Sequence, residues 1–500
     1  MKKVIASDTP LPELVAYLEP FGQHFVRSEG RRSMERYSTG LLSDLPRKNG
    51  QTIEAHVPDT NYQRLQSLVV GIQWQEQDDN QPRVSQLRDE VLLGDGVFII
   101  DDTGFPKQGQ ASVGVAYQYC GELGKVANCQ VAVTCHYADV ATTWPINARM
   151  YLPEEWTEDK VRLNQARVPK DVEFQTKPQI ALDLLDEAIG FNIPHAAVVS
   201  DASYGDNPTF LAGLEERDER YVVAVPCNFQ VKATSVQLPE DDPQAGVQRA
   251  DTLLKQLPRR QWTTIRWREG TKGWLRKKFI SLRVWRVLEG ECLTEGWLIG
   301  ERPSNGQQGE WKYYFSNFPP DTPLRQIVGC VHQRWQIDRF YQDAKQHLGW
   351  GDYQGRKWIG FHRHAILVML TDSFLVTQEW RQRHNRPRER GRPRDPFSPA
   401  TRGDASPFSK YTSRLSTNSG IWPSSTIYVD DKVVLGTVAI GLPGLVQCEP
   451  FTNAVCQIFH LHLFRGVDCS PCGIHRLGKP PRLSVGRRKR IKPFGMLLPN

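Results

Sequence analysis

Apolar positions recur at helical spacing early in the chain, in Leu11-Pro-Glu-Leu-Val-Ala-Tyr-Leu18 and Tyr62-Gln-Arg-Leu-Gln-Ser-Leu-Val-Val70. Residues 1–92 therefore read as a helical region, interrupted by the basic turn Leu42-Ser-Asp-Leu-Pro-Arg-Lys-Asn-Gly50. Such a region serves either as a small DNA-contacting domain or as a helical cap on the next domain. From residue 96 the period changes to that of strands. Gly96-Val-Phe-Ile-Ile-Asp101, Val113-Gly-Val-Ala-Tyr-Gln-Tyr119 and Gln130-Val-Ala-Val-Thr-Cys-His136 are separated by Gly-rich turns. An amphipathic helix comes next at Pro178-Gln-Ile-Ala-Leu-Asp-Leu-Leu-Asp-Glu-Ala-Ile189, then Ala196-Ala-Val-Val-Ser200, a helix near 208–214, and Tyr221-Val-Val-Ala-Val225. Three strands, then helix, strand, helix, strand, predict an α/β domain with a mixed sheet.

The stretch 227–322 is too long for a loop and holds strand-like pieces such as Phe279-Ile-Ser-Leu-Arg-Val-Trp285, so it reads as an inserted β-rich subdomain. It divides the α/β core into 93–226 and 323–380, the second part containing a helix around 334–345 and another over about 361–380. Beyond Trp380 the character changes. Arg386-Pro-Arg-Glu-Arg-Gly-Arg-Pro-Arg-Asp395 is basic and Pro-rich, and later periodicity is confined to Val433-Val-Leu-Gly-Thr-Val-Ala-Ile440. Residues 381–500 read as a basic linker and an irregular, poorly structured tail.

Charge sharpens this division. The chain has 500 residues and a net charge of +7. Residues 381–500 hold 20 Lys+Arg against 7 Asp+Glu, so the first 380 hold 43 against 49 and are slightly acidic. Any nucleic-acid site in the body must then be a local basic patch. The start Met1-Lys-Lys lacks a secretory pattern, and the apolar run 365–370 stops at Thr371-Asp372-Ser373, short of the ~20 residues a span needs. A soluble intracellular protein is expected, with its ten scattered cysteines reduced. Cys469-Ser-Pro-Cys472 with His475 has zinc-like spacing, but a single CxxC is a weak signal.

The candidate chemistry lies at three acids. Asp101 ends the first apolar strand and Asp201 ends the fourth, which puts both at the carboxyl edge of the sheet, where open α/β sheets bind ligands. Asp338 lies in Arg334-Trp-Gln-Ile-Asp338-Arg-Phe-Tyr-Gln-Asp-Ala-Lys345. On a helix, Arg334, Asp338 and Lys345 return to nearly one face, a carboxylate flanked by two cations suited to a phosphate chain. Three carboxylates are hard donors for Mg²⁺ or Mn²⁺, and two such ions roughly 3.5–4 Å apart cleave phosphodiesters. Each signal has an ordinary reading as well. A strand-end Asp is commonly a turn residue or helix cap, and Asp338 with Arg334 makes a plain i,i+4 pair. Trp335 reads as core, and His362 and His364 read either as residues flanking DNA or, by default, as core-edge or exposed histidines. Lys357 reads as a phosphate contact or solvated surface charge.

The surrounding words resemble the DDE transposases of bacterial insertion sequences, in the group with a Tyr-Arg-Glu-Lys signature and a DDE-superfamily endonuclease branch. The resemblance runs over about 37–375. It is carried by Gly40-Leu-Leu-Ser-Asp-Leu-Pro-Arg-Lys-Asn49, Asp101-Asp-Thr-Gly-Phe-Pro-Lys107, Ser112-Val-Gly-Val-Ala-Tyr-Gln-Tyr-Cys-Gly121 and Asn128-Cys-Gln-Val-Ala-Val133. Gly270-Thr-Lys-Gly273, Tyr313-Tyr-Phe-Ser-Asn317, Arg334-Trp-Gln-Ile-Asp338, Lys345-Gln-His-Leu-Gly349 and Tyr353-Gln-Gly-Arg-Lys-Trp358 continue it.

The resemblance implies a ribonuclease-H-like core with a β-rich insertion before the third acid, and DNA strand cleavage and transfer using two Mg²⁺ or Mn²⁺ ions. Asp101, Asp201 and Asp338 match the metal-holding catalytic acids, with Asp102 as a second choice for the first. Arg334 and Lys345 match the signature cations and are expected on DNA; Lys107 and Arg356, candidate DNA contacts by their charge, read equally as solvated surface charge. The implied partners are double-stranded DNA, terminal inverted repeats and target DNA, with a homodimer on paired ends and no membrane, in the bacterial cytoplasm at the nucleoid.

The chain departs from the pattern in three places. Asp338 stands where the family has Glu, about 1.5 Å shorter in reach. Val331 replaces the signature Tyr, and Gln354 replaces an acid. With the tail, these departures raise the alternative of a decayed or repurposed transposase that binds DNA without cutting, its tail an out-of-frame or fused extension.

Overall fold

The computed structural model describes residues 10–385, apart from 73, 93, 95, 236–244, 271–272 and 305–308, together with 427–429 and 432–434. The chain divides into two units, Met1–Pro423 and Ser424–Asn500. In the second, Ile427–Val429 pairs antiparallel with Lys432–Val434. The zinc-like cysteines and the rest of the expected tail lie outside the described residues.

Twelve strands of the first unit form a single mixed sheet. They are β1 (Gly96–Pro106), β2 (Ala116–Cys120), β3 (Lys125–Ala138), β4 (Thr143–Tyr151), β5 (His195–Ser200), β6 (Tyr221–Val225), β7 (Gln230–Ala233), β8 (Val247–Arg249), β9 (Thr263–Gly270), β10 (Gly273–Leu288), β11 (Glu291–Arg302) and β12 (Lys312–Ser316). The main path runs β2-β3-β1-β5-β6-β12-β11-β10-β7-β8, with β4 on β3 and β9 on β10. β1, β5 and β6 are parallel; β3 and β12 flank them antiparallel. β1 is buried over nearly its whole length, and its apolar run 97–100 is what a strand covered on both faces requires.

Two features differ from the pattern reading. β4 is hidden in the sequence because Pro145 interrupts it. It pairs only with β3, and an edge strand tolerates a residue that cannot donate to the ladder. The strands of 227–322 also hydrogen-bond into the same sheet, through β12 on β6.

The N-terminal helices share a core with the helix Trp358–Asn385. Leu14, Tyr17, Phe21, Met34, Leu41, Ile53 and Leu68 pack in one cluster with Phe361, Leu367, Leu370 and Phe374. That helix is the one among the described residues long and apolar enough to cross a membrane, but 89% of its apolar window is buried in the fold. Core burial accounts for its composition.

Burial also traps charge. Asp79 is fully buried, and neither carboxylate oxygen accepts a hydrogen bond among the described residues; His24 Nε2 lies 3.9 Å away. Burial, with some help from Asp78, pushes its pKa up to about 8. Between pH ~4 and ~8 the folded protein thus holds a proton that the unfolded chain has lost. Stability from this group is full below the unfolded value and falls as pH rises, by at most about 1.4 kcal/mol per unit. Asp79→Asn should flatten the fall, read from denaturant midpoints at pH 5 and 8. An unchanged slope would rule out this origin.

Candidate active site

The parallel pairing of β1 with β5 sets Ile100 opposite Ser200. The next residues, Asp101 and Asp201, therefore stand side by side. Asp201 follows the end of β5, but Asp101 does not end its strand as expected, because β1 continues to Pro106 on its pairing with β3. Asp101 is 9% exposed. Asp201 also does what a strand-end Asp commonly does. It caps the short helix Ala202–Gly205, and its Oδ1 accepts from Ser203 N at 2.9 Å, Ser203 Oγ at 2.6 Å and Tyr204 N at 3.4 Å. None of these bonds uses Oδ2. The capping and site readings are compatible in one residue.

The third acid arrives on the helix Trp335–Gln346, entered through the turn His332–Arg334. Asp338 is exposed in its first turn. Arg334 does not bond Asp338 as a simple helical pair. Its Nη1 lies 2.5 Å from Asp101 Oδ2. Burial opposes the guanidinium's charge, yet Asp101, Asp338 and Asp201 together hold its pKa above the ordinary arginine value. Of the three acids, only Asp101 bonds this cation directly. Burial pushes Asp101 up to about 7; Arg334 pulls it down and Asp201 raises it.

Lys345 fastens the far end of the same helix. Its Nζ donates to Gly104 O and Glu122 Oε2, each at 2.6 Å, and lies 4.9 Å from the Phe105 ring centre. Arg334 and Lys345 therefore pin the helix along β1. Gly349, with φ of +70°, turns the chain away at the helix end, where a side chain would strike Lys48. Lys48 is buried, and its Nζ donates to Leu41 O at 2.6 Å and to His347 O. The Pro-Arg-Lys-Asn word is thus a clamp on the helix end. Lys107, a candidate DNA contact, is half-buried with Nζ 2.6 Å from Tyr353 O, and burial lowers its pKa to about 8. Lys357 donates to Gln165 O. Of the candidate DNA cations, Arg356 is exposed and shows no partner among the described residues.

Asp102 bonds Lys177 Nζ at 2.9 Å, so its charge is already answered. Val331 is buried in the core, and Gln354 is exposed. Trp335 corrects the core expectation: it is 39% exposed, with the Arg268 guanidinium 3.6 Å from its ring centre. His362 and His364 are buried rather than exposed. His362 Nε2 accepts from Met150 N, and His364 binds Tyr37 and Gly349 O; burial lowers both pKa values.

Pattern reading missed Thr134, Tyr204 and Tyr341. Thr134 faces Asp101 across the β1–β3 register and lies 2.5 Å, Oγ1 to hydroxyl, from Tyr341. Burial raises both phenols, and the nearby acids add to it. Tyr341 sits three residues past Asp338 and seven past Arg334, a helical-face spacing that marks it. Thr134 has no local signal.

Among the described residues, no three His, Cys, Asp or Glu are gathered tightly enough to hold a metal ion. The donor chemistry fits one all the same. Asp101 and Asp201 stand level on adjacent parallel strands, and carboxylates are hard oxygen donors that suit Mg²⁺ or Mn²⁺. In the geometry shown, Arg334 answers the charge of Asp101.

Comparison with known proteins identifies the family. The sequence profile described as DDE superfamily endonuclease matches residues 20–274, which include Asp101 and Asp201 but not Asp338. The chain is also similar to the probable transposase for insertion sequence element IS701 of Microchaete diplosiphon. The two are 27% identical over 329 residues, covering 65% of this chain and 77% of the relative. A profile match across more than half of the sequence shows that this chain belongs to the DDE superfamily endonuclease family.

Proposed function

We propose that the protein is an insertion-sequence transposase that cuts DNA strands at the element's ends and joins them to target DNA, with Asp101, Asp201 and Asp338 as its catalytic acids. The observation that carries this is the level placement of Asp101 and Asp201 on adjacent parallel strands, with Arg334, one turn before Asp338, bonded to Asp101. When bound, divalent ions supply activation of water and charge stabilisation at the scissile phosphate. The chain's own part is positional. β1 and β5 hold two carboxylates rigidly, and Arg334 and Lys345 fix the helix that brings the third. The substrates are double-stranded DNA carrying terminal inverted repeats, and target DNA. A homodimer on paired ends and association with the nucleoid belong to the same proposal.

A second reading, binding without cutting, is favoured by one observation. Asp338 is exposed on its helix and reaches about 1.5 Å less far than Glu. Incubation with labelled terminal-repeat DNA and Mg²⁺ or Mn²⁺ separates the two. Asp338→Glu should raise cleavage at least roughly tenfold if the short side chain limits the enzyme. Binding by both forms with cleavage by neither would establish the second reading.

A further inference from the structure

The N-terminal helices contain a second cluster of cations, independent of the acids. On the helix Ser28–Leu42, residues 28, 32 and 36 share a face. Arg32 and Arg36, with Thr60 and Arg64 from the following segment, line a cleft of about 360 Å³. Arg36 is 2% exposed. Its Nε and Nη2 both donate to Glu35, at 2.5 and 2.7 Å. Its Nη1 is buried and finds no partner among the described residues, and neither does the buried Oγ1 of Thr60. A guanidinium presents five N–H donors in a rigid fork, and here one edge is committed while the other is left over. Among the described residues, Arg32 is held by an exposed pair with Asp59 at 2.9 Å, of the kind that contributes little and exchanges readily. Arg64 is exposed with no partner shown for its side chain. Ser28, the first residue of this 15-residue helix, also lines the cleft, adding the partial positive charge of the helix start.

The acids decide what class of anion fits. Glu29 and Asp59 line the same cleft, and Glu35 already answers Arg36. Three guanidiniums thus face three carboxylates, and the cleft offers oriented donors rather than a strong net field. That suits a singly charged group delivered on a longer chain better than a free phosphate dianion. We propose that this cleft seats one phosphodiester of the DNA backbone, held by Arg36 Nη1, Thr60 Oγ1 and Arg64. The proposal rests on the DNA-processing reading above and adds a residue-level contact to it. The contact is sequence-independent, since phosphate contacts position a protein without reading bases.

The test uses the full chain, binding of two unrelated duplexes by fluorescence anisotropy, and salt from 50 to 200 mM. Arg36 itself is unsuitable because its loss would strand Glu35. Arg64→Ala should weaken both duplexes equally, roughly tenfold at the lowest salt, and reduce the slope of log K against log salt by about 1. Thr60→Val should weaken binding about threefold without changing the slope. Both variants should melt with the unmodified protein. Affinity and slope unchanged in both variants would overturn the cleft assignment while leaving DNA binding intact. Loss of inorganic phosphate binding in Arg64→Ala, with duplex binding unaffected, would make the cleft a free-anion site and also overturn it. Absence of duplex binding by the unmodified protein would instead fail the DNA-processing reading on which the assignment stands.

Discussion

Asp201→Asn is expected to lower DNA strand cleavage at least about a hundredfold while leaving stability and duplex binding almost unchanged. This substitution separates the two roles of the residue. As a cap, Asp201 uses Oδ1 to accept from Ser203 and Tyr204, and Asn caps a helix as well as Asp does. As a site residue, it contributes a negative charge beside Asp101, felt by Arg334. Asn keeps the first and removes the second. Asp201→Ala removes both and should cost about 1 kcal/mol of stability in addition. Cleavage of labelled terminal-repeat DNA, beside a denaturant melt of each variant, reads the two roles independently. Full cleavage by Asp201→Asn would remove Asp201 from the catalytic set.

Arg83→Met should destabilise the protein by at least roughly 3 kcal/mol, the largest stability effect expected from a single residue outside the site. Arg83 is fully buried. Burial lowers its pKa to about 10, so it remains charged at neutral pH. Its guanidinium donates to Asn80 Oδ1 from two nitrogens, to Pro145 O at 2.8 Å, to Ile146 O at 2.6 Å and to Ser373 Oγ at 2.9 Å. One side chain thus joins the helix Glu76–Val91, the edge strand β4 and the helix Trp358–Asn385. Met fills most of the volume but leaves two buried carbonyls without donors. β4 is the weak point, because Pro145 already denies it a ladder donor. A lower denaturant midpoint at constant slope would match this role. A loss below 1 kcal/mol would show that the strand finds its support elsewhere.

How much is legible in the sequence depends on the range of each interaction. Asp101 and Asp201 are visible because each follows an apolar run that encodes a strand, although β1 continues past Asp101 to Pro106. The signature helix is visible because its face repeats at 3.6 residues. The bonding within it is not. Arg334 has a carboxylate one turn away in Asp338, yet bonds Asp101, 233 residues earlier. Lys345 and Lys107 look like solvent-facing cations but end on main-chain carbonyls of distant segments. Trp335 looks like core from its type, and lies exposed against Arg268 from β9. Hydrophobic period reports which side of an element is covered. It carries no information on which remote polar group will be nearest.

The sequence by itself determined the kind of protein: acids that follow apolar runs, a helix bearing Arg334 and Asp338, and words shared with one family. These are local properties, written in period and in residue type. Only the tertiary structure decided that Asp101 and Asp201 stand level, that Arg334 bonds Asp101, and that Asp338 remains exposed. It also decided that strands from 227–322 extend the same sheet, and that Arg36 keeps an unanswered donor in the N-terminal cleft. Each depends on strand register or on a contact between segments far apart in the chain. Such contacts are selected by packing of the whole core, not by the residues beside them.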